Sequence, residues 1–310
     1  MNDFCVTFRG VRGSYPTPEK NKLKYGGNTA CVEVKIGKQL IIIDAGTGII
    51  SLGDNLLREH LLSGSDEYSR KKINATILLS HTHQDHIQGL PFFNPIYIGS
   101  TNLDIFGSDN ENNNLKNTLS LLTFDKMFPL TFDEMPADIN IRNFHEKTFL
   151  SLDPDSDRLA EIKQITSDDI QNPDMIEIRC FKSYAHPKEG VLIFKISYKN
   201  KTLIYASDKE SYIGGDKKLI QFCRNADVLI HDANYTKEDY LSATNPKQGF
   251  GHSTPDMAVK VAQMANVSKL YLFHIGPSYN DETVDEIEKQ TKELFKNTQV
   301  AYEGLSVSLL

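Results

Sequence analysis

Short apolar runs, separated by polar residues and glycines, cover most of the chain. Several of these runs are rich in β-branched residues and end at polar or glycine positions, which predicts β-strands. The predicted strands span residues 4–8, 31–36, 40–44, 75–80, 176–181, 191–197, 202–206, 228–231 and 269–273. The N-terminal half is therefore rich in strands, with hairpins, and the C-terminal half alternates strands with other elements.

Helical periodicity lies between these runs. An apolar face follows Gly48 and contains Leu52, Leu56, Leu57 and Leu61. Thr254 before Pro255 is typical of a helix N-terminus, with a capping hydroxyl followed by a proline in the first turn. The stripe of a last helix contains Val284, Ile287, Leu294 and Phe295. This mixture predicts an α/β protein whose helices cover the outer faces of its sheets.

Two segments fit this pattern poorly. Residues 107–118 are polar and rich in asparagine, and residues 151–174 carry many acids and few large apolar side chains. Both are typical of surface loops or of an inserted cap. Because the chain shows no repeat and no clear boundary, we expect one domain over residues 1–310, with a cap or insertion at about 100–175.

The composition of the chain limits where the protein is expected to be located and which partners it is expected to bind. A net charge of −7 provides no bulk basic field for nucleic acid or an anionic membrane. The N-terminus lacks the pattern of a signal peptide, and no run approaches the roughly 18 apolar residues of a membrane span. The scattered Cys5, Cys31, Cys180 and Cys223 favour buried free thiols over disulfides or metal thiolates. We therefore expect a cytoplasmic protein with no membrane partner, and a homo-oligomer is left open.

Three histidines and an aspartate lie together in the segment His81-Thr82-His83-Gln84-Asp85-His86. The segment follows the apolar run at 75–80, and a strand that ends in this way delivers imidazoles to the edge of a sheet. His81 and His83 can face one ion, and Asp85 and His86 can face a second. Neutral imidazole and carboxylate suit zinc, manganese or iron. With nine histidines in 310 residues, such a cluster is improbable by chance.

This motif resembles that of the metallo-β-lactamase superfamily. The resemblance implies a four-layer αβ/βα sandwich with metal ions at the edge of a sheet. It extends upstream to residues 41–48, where Asp44 ends an apolar run before a glycine-containing turn. By this resemblance Asp44 would support the metal site without binding an ion.

The resemblance also implies the ligands of two divalent ions, with zinc preferred over manganese or iron. The ligands of the first ion would be His81, His83 and His186. Those of the second would be Asp85, His86 and His274, with Asp208 bridging the two. The spacing agrees, because acidic or imidazole side chains recur every 21 to 23 residues at His186, Asp208, His231, His252 and His274.

Two further segments narrow the chemistry. Residues 229–235, which contain Asp232, precede residues 251–254, which contain His252, and this pairing resembles the transfer-RNA 3′-processing nucleases and related small cyclic phosphodiesterases. The resemblance implies that His252 assists phosphate cleavage while Asp232 orients it. Catalytic roles would then fall to Asp85, Asp208, His252 and Asp232. Alternatively, His252 caps the helix that begins at Pro255.

The remaining histidines are not assigned to the metal site. His231 is either a support for the site or a buried core residue, and we assign it no role. His60 and His145 match nothing in the family pattern and are expected at the surface.

The spacing between His186 and Asp208 disfavours the transfer-RNA nuclease itself. That family carries a basic arm between these positions, and the 21 intervening residues leave no room for one. Together with the acidic balance, this predicts a small phosphodiester substrate and no large nucleic acid partner. The N-terminal segment is similar to that of bacterial hydrolases near the cyclic phosphodiesterases, and its Arg9, Arg12 and Asn28 would contact an anionic substrate or form a structural turn.

These features predict a binuclear metal-dependent hydrolase. The finer prediction is a phosphodiesterase that cleaves a small cyclic nucleotide or ribose phosphodiester through a hydroxide that bridges the metals. The main alternative is hydrolysis of a non-phosphate ester, lactone or thioester, and a second alternative is a metal-binding sensor or scaffold without turnover. A true β-lactamase is disfavoured by the His252 segment, and a flavodiiron reductase is disfavoured because His83 stands where that family has glutamate.

Overall fold

Two β-sheets pack face to face at the centre of the structure. The computed structural model describes residues 3–108, 114–123, 126, 128–166, 172–212 and 214–310. The strands of the first sheet are β1 (Phe4–Gly10), β2 (Cys31–Ile36), β3 (Gln39–Ile43), β4 (Ile73–Leu78), β5 (Thr101–Gly107), β6 (Asp138–Asn143) and β15 (Ser306–Ser308). Within these ranges they pair in the order β15-β1-β2-β3-β4-β5-β6.

The second sheet contains the central and later strands of the chain. These are β7 (Thr148–Leu152), β8 (Glu161–Gln164), β9 (Ile176–Ser183), β10 (Val191–Tyr198), β11 (Lys201–Ala206), β12 (Val228–Asp232), β13 (Lys269–Phe273) and β14 (Thr298–Val300). Their order is β14-β13-β12-β11-β10-β9-β7-β8. The strands β3 and β12 are buried along their whole length, as expected of strands covered on both faces.

Helices connect the strands. The α-helices of the described residues are α1 (Gly48–Leu62), α2 (Gln84–Ile87), α3 (Leu115–Ser120), α4 (Lys217–Phe222), α5 (Lys237–Tyr240), α6 (Pro255–Met264) and α7 (Asp281–Leu294). The side chain of Thr254 accepts a hydrogen bond from the backbone N–H of Met257, so it caps α6 as predicted. No helix in the described ranges combines the length and apolar character needed to cross a bilayer.

Three apolar clusters hold the layers together. Side chains from both sheets, including Phe8 and Phe194, form the central core. Ile49 and Leu52 of α1 pack with the outer face of the first sheet, and apolar residues of α6 and α7 pack with the outer face of the second. This arrangement is the predicted αβ/βα sandwich, so the fold class is confirmed.

The predicted strands all form, with ends that differ by up to two residues. Most of the strands that the pattern missed are short or polar, whereas β5 has seven residues and is almost wholly buried. In β6 and β8 most side chains are exposed or half-buried, so these strands carry no alternating apolar signal. They pair at the outer edges of the two sheets, where one neighbouring strand suffices to fix the backbone.

The segment at about 100–175 was expected to form a cap or insertion. Its described parts include β5 and β6, which extend the first sheet, and β7 and β8, which extend the second. Residues 109–113 and 167–171, within the two unusual segments, lie outside the described residues. The boundaries of a single domain with an insertion stay a prediction.

The apolar face of α1 differs from its prediction at the C-terminal end. Leu52 and Leu56 are buried as expected, but Leu61 is exposed and His60 takes the buried position. The imidazole Nδ1 of His60 lies 2.7 Å from the carbonyl oxygen of Lys71, and this hydrogen bond allows the ring to be buried. The prediction that His60 is a surface residue is therefore wrong, whereas His145 is exposed as expected.

We predict that Phe194→Ala lowers the free energy of unfolding by about 3–5 kcal/mol, because it leaves a cavity between the two sheets. Phe194 is fully buried, and its ring stacks on that of Phe144 at a centroid distance of 6.4 Å. Urea denaturation measures the change. As a control, Leu62→Ala removes a side chain that is 81% exposed and should stay within about 0.5 kcal/mol of the native protein. Equal effects of the two substitutions would contradict the assignment of the central core.

Candidate metal centre

The side chains singled out in the sequence meet at one edge of the two sheets. In the first sheet, β3 and β4 are parallel neighbours and are followed by Asp44 and by the segment that begins at His81. In the second sheet, β11, β12 and β13 are parallel, and Asp208, Asp232 and His274 lie at or just beyond their carboxyl ends. Because parallel neighbours end at the same edge, five separate segments deliver polar side chains to one place.

Three of these residues have strained backbones. Asp44, Asp208 and His274 have φ angles of 61°, 50° and 58°, in the left-handed region that L-residues avoid. This conformation costs each residue about 1–2 kcal/mol. Such strain persists only where the surrounding contacts hold it, and it is concentrated at functional sites.

Three imidazoles form a first group: His81, His83 and His186. The Nε2 atom of His186 lies 2.9 Å from Nδ1 of His83. The Nε2 atom of His81 is buried and has no hydrogen-bond partner within the described residues. A buried ring nitrogen without a partner is costly unless a ligand satisfies it.

A second group contains Asp85, His86, Asp208 and His274. The Nε2 atom of His274 lies 3.0 Å from a carboxylate oxygen of Asp85 and 3.2 Å from Nε2 of His86. All four residues are buried.

The carboxylate of Asp208 connects the two groups. Its Oδ1 atom lies 3.0 Å from Nε2 of His86 and 3.3 Å from Nε2 of His274. Its Oδ2 atom lies 3.7 Å from Nε2 of His81 and 3.8 Å from Nε2 of His186. One oxygen therefore faces each group, which is the geometry that a bridging ligand requires.

Hydrogen bonds outside the two groups orient their rings. Nδ1 of His86 donates to the carboxylate of Asp44 at 2.7 Å, and Nδ1 of His186 donates to the carbonyl oxygen of Gly251 at 3.0 Å. Each bond places the ring proton on Nδ1 and leaves the lone pair of Nε2 directed into the site. The Asp44 carboxylate also accepts hydrogen bonds from Ser80 and from the hydroxyl of Tyr205. Asp44 thus lies in a supporting position.

These donor atoms fit metal ions. Burial lowers the pKa of His81 well below its usual value, which keeps its ring neutral and able to bind a metal. Burial alone would raise the pKa of Asp208, but the imidazoles of His274, His86 and His81 outweigh it and hold the pKa well below its usual value. Neutral imidazoles and ionised carboxylates are the ligand set that zinc, manganese and iron accept. All seven predicted ligands meet here.

A further acid–imidazole pair borders the second group. Nδ1 of His252 lies 2.7 Å from Oδ2 of Asp232. The other oxygen of Asp232 accepts hydrogen bonds from the backbone N–H groups of Asn234 and Ser253. Burial lowers the pKa of His252, but the Asp232 carboxylate more than offsets this and raises the pKa to about 9. Although donor atoms of Asp232 and His252 lie near Asp208 and His274, the hydrogen bonds of Asp232 indicate an orienting role.

The loop before His252 is fixed by a residue that the sequence pattern did not single out. The carboxylate of Glu210 accepts hydrogen bonds from the N–H groups of Gly249 and Gly251. Gly251 has a φ angle of 87°, and a Cβ atom there would lie 2.4 Å from Nδ1 of His186. The loop therefore positions a predicted metal ligand and His252 together.

A second missed contact involves the N-terminal segment. The backbone N–H of Ser14, a residue with a φ angle of 67°, donates to Oδ2 of Asp85 at 2.7 Å. Tyr205, Glu210 and Ser14 each act through a contact between distant segments. Local sequence patterns contain no signal of such contacts.

The predicted substrate residues are engaged elsewhere. The guanidinium of Arg12 is buried and donates to the carbonyl oxygens of Gly26, Tyr279 and Lys22. The prediction that Arg12 contacts substrate is wrong, because its donors fix loops.

The other two residues of the N-terminal segment also have protein partners. Arg9 pairs with Glu33 at 2.6 Å, and the amide of Asn28 donates to Glu303 at 2.9 Å. A substrate contact by Asn28 stays a prediction. His231 is buried and belongs to neither ligand group.

A cavity of about 480 Å³ gives access to the imidazoles of the site. Its lining includes His81, His83, His186, His252 and Phe250. The three imidazoles of the first group and the ring of His252 therefore face a space large enough for part of a substrate.

Comparison with known proteins identifies the family. Residues 39–275 match the model of the β-lactamase superfamily domain. The chain is 25% identical to ribonuclease Z of Picrophilus torridus, over 99% of this chain and 96% of that protein. It is 26% identical to ribonuclease Z of Thermoplasma acidophilum, over 94% and 93%. The metallo-beta-lactamase fold protein YhfI from Bacillus subtilis has a similar fold, with a TM-score of 0.65, 20% identity and 99% coverage of both chains.

The chain belongs to the β-lactamase superfamily. The predicted class, a metal-dependent hydrolase, is confirmed at this level. The predicted need for divalent metal ions is likewise confirmed, without the identity of the metal.

One prediction about partners is wrong. The chain was expected to act on a small molecule and to bind no large nucleic acid. However, two of the relatives that it matches over nearly their whole length are ribonucleases. The error came from bulk charge and from a missing arm. Neither the net charge of the chain nor the missing arm indicates which substrate the residues beside the metal centre can bind.

We predict that His81→Ala and His274→Ala each remove about one of two bound ions, because the two side chains lie in different ligand groups. Metal analysis after dialysis against zinc measures the stoichiometry. The exposed His145 lies outside both groups, so His145→Ala should bind the same amount of metal as the native protein. Loss of all metal in both His81 and His274 variants would argue for one indivisible site.

We predict that Gly251→Ala weakens metal binding in the first group, because the added Cβ would displace the ring of His186. Gly249→Ala is a matched control. Its φ angle of 83° is equally strained for alanine, but a Cβ there meets no described atom within 4 Å. Zinc titration of both variants separates the contact from the backbone strain. Equal affinities in the two variants would contradict the proposed contact.

Proposed function

We propose that the protein is a binuclear metal-dependent phosphodiesterase that cleaves RNA. The observation that carries this proposal is the Asp232–His252 pair, which borders a site with two ligand groups joined by Asp208. The names of the relatives support RNA as the substrate class. The earlier restriction to a small cyclic phosphodiester is replaced by this proposal.

The seven ligand residues would hold two divalent ions. Bound there, the ions would lower the pKa of a water molecule and stabilise negative charge on the phosphoryl oxygens. His81, His83 and His186 would hold one ion, and Asp85, His86 and His274 the other. Asp208 would contact both ions through its two oxygens, which is what the distances on each side of its carboxylate support.

His252 has the features of a general acid. Its Nδ1 atom is held by Asp232, so Nε2 is the atom left to act on a substrate oxygen. The Asp232 carboxylate favours the protonated ring, and His252 lines the cavity of the metal centre. A proton on Nε2 can pass to the leaving oxygen of a phosphodiester as the bond to phosphorus breaks.

This pair also bears on the alternatives. Hydrolysis of a thioester needs less help at the leaving atom, because a thiolate is a better leaving group than a ribose alkoxide. A held, protonated imidazole is of most use where the leaving oxygen is strongly basic. The phosphodiesterase proposal therefore accounts for the Asp232–His252 pair, whereas a scaffold would have no use for it.

Zinc and a cytoplasmic location are part of the proposal. A set rich in imidazoles favours zinc over magnesium or calcium. Among the described residues, Cys31, Cys180 and Cys223 are buried free thiols and Cys5 is half-buried. Free thiols are typical of a reducing compartment.

We predict that His252→Ala lowers kcat by about 10²–10⁴-fold while both metal ions remain bound, because the general acid is lost. Asp232→Asn should lower kcat less, since it misorients the ring without removing it. The assay uses the zinc-loaded protein with an RNA that carries a 3′ extension, a cyclic nucleotide and bis-p-nitrophenyl phosphate. Turnover of esters or thioesters without cleavage of any phosphodiester would contradict the proposed function.

The control is His145→Ala, an exposed histidine outside the site, which should keep the native kcat. Metal analysis of every variant runs in parallel. If His252→Ala loses its metals together with its activity, His252 has a structural role and the proposed proton transfer is wrong.

A further inference from the structure

A second cavity adjoins the metal centre. It has a volume of about 670 Å³ and shares His186 and Pro187 with the cavity of the metal centre. Its walls include the rings of Tyr184 and Tyr212 and the side chain of Gln248. This volume is sufficient for a nucleobase with its ribose, and it begins at a predicted metal ligand.

Exposed aromatic rings are concentrated at this rim. Tyr184 is 78% exposed and Tyr212 is 57% exposed, and Phe250, in the wall of the metal cavity, is 52% exposed. Single exposed rings are ordinary, but a group of them beside an active site indicates a binding surface. None of these rings takes part in the hydrolysis described above.

One hydrogen bond links the two backbone segments that carry Tyr184 and Phe250. Nδ1 of His186 donates to the carbonyl oxygen of Gly251. Tyr184 precedes His186 by two residues, and Phe250 directly precedes Gly251. Both rings are therefore attached to backbone segments that are fixed beside the metal centre.

Lysine side chains accompany the rings. The Nζ atom of Lys182 lies 5.7 Å from the ring centroid of Tyr184, and Nζ of Lys247 lies 5.3 Å from that of Phe250. Neither ammonium group forms an ion pair within the described part of the chain. A ring beside an ammonium group offers one face for a base and a charge for the adjacent phosphate.

Tyr212 differs from the other two rings. Its neighbouring ammonium group belongs to Lys209, which is buried and paired with Asp216. Tyr212 therefore offers a ring without a free charge, and the inference rests on Tyr184 and Phe250.

The charges around the site favour RNA recognition by base stacking over recognition by a positively charged surface. The net charge of the chain is −7, and Glu146 near this rim already pairs with Lys218. Recognition through many phosphate contacts needs a clustered positive surface. Stacking needs only exposed rings at fixed positions, because every base has a π face.

We propose that Tyr184 and Phe250 are stacking platforms for unpaired bases of single-stranded RNA beside the scissile phosphate. The proposal rests on the proposed function and adds a base-binding site to it. Bases that stack at this rim would be held next to the metal centre, so substrates with unpaired bases there would bind more tightly than a bare sugar–phosphate chain.

The test measures the affinity of zinc-loaded protein for fluorescein-labelled hexauridylate by fluorescence anisotropy. The His252→Ala background keeps the RNA intact. Tyr184→Ala and Phe250→Ala should each weaken binding about tenfold, whereas Tyr184→Phe and Phe250→Tyr should keep the affinity because they keep the ring. Tyr68→Ala is the matched control, since Tyr68 is 92% exposed and lies in the turn after α1, outside these cavities.

An abasic oligonucleotide of the same length separates stacking from charge. It should bind weakly and equally to the background protein and to both alanine variants. The inference is overturned if the alanine variants bind hexauridylate as tightly as the background protein, or if they lose affinity for the abasic strand to the same extent.

The proposed function is tested separately, by measuring the turnover of bis-p-nitrophenyl phosphate by the native protein. Cleavage of this compound with unchanged RNA affinity in the alanine variants overturns the stacking platforms alone. Loss of RNA affinity in those variants without cleavage of any phosphodiester supports the platforms and overturns the proposed function.

Discussion

The rest of the structure depends on the convergence of imidazole and carboxylate side chains around the carboxylate of Asp208. The two oxygens of Asp208 face imidazole nitrogens on both sides, at distances of 3.0 to 3.8 Å. The hydrogen bonds of His86 and His186 direct lone pairs toward the same carboxylate. Lone pairs and negative charge that converge in a buried volume are unfavourable by themselves and strongly favourable around divalent ions. Metal binding and the stability of this edge of the molecule are therefore coupled.

The αβ/βα sandwich brings these side chains to one place and holds them there. Parallel strands from both sheets end at one edge, and strained turns at Asp44, Asp208 and His274 place the side chains there. The central core fixes one sheet against the other, so residues that are far apart in the chain keep distances of a few ångströms. Hydrogen bonds that His86 donates to the Asp44 carboxylate and His186 donates to the Gly251 carbonyl then orient the two rings. The Glu210 carboxylate holds the loop that carries His252. Supporting contacts of this kind decide whether ligands are correctly aimed.

Much of this arrangement was predictable from local pattern. The buried strands carry strong apolar runs, and residues 81–86 together with His186, Asp208 and His274 match a family motif, so the fold and the ligand set could be expected. The edge strands β6 and β8 were missed because their side chains are polar. Arg12 was misassigned because a buried guanidinium that serves three carbonyl groups has the same local sequence as one that binds an anion. Ser14, Tyr205 and Glu210 were missed because their roles exist only after distant segments meet.

The central claim is that Asp208 joins two metal sites. Anomalous X-ray scattering at the zinc edge, from crystals of the zinc-loaded protein, tests it most directly. The account predicts two peaks about 3.5–4 Å apart, one among His81, His83 and His186 and the other among Asp85, His86 and His274, with one oxygen of Asp208 on each. A single peak, or a peak bound by Asp232 and His252, would contradict the bridging role of Asp208 and the assignment of His252 as a proton donor.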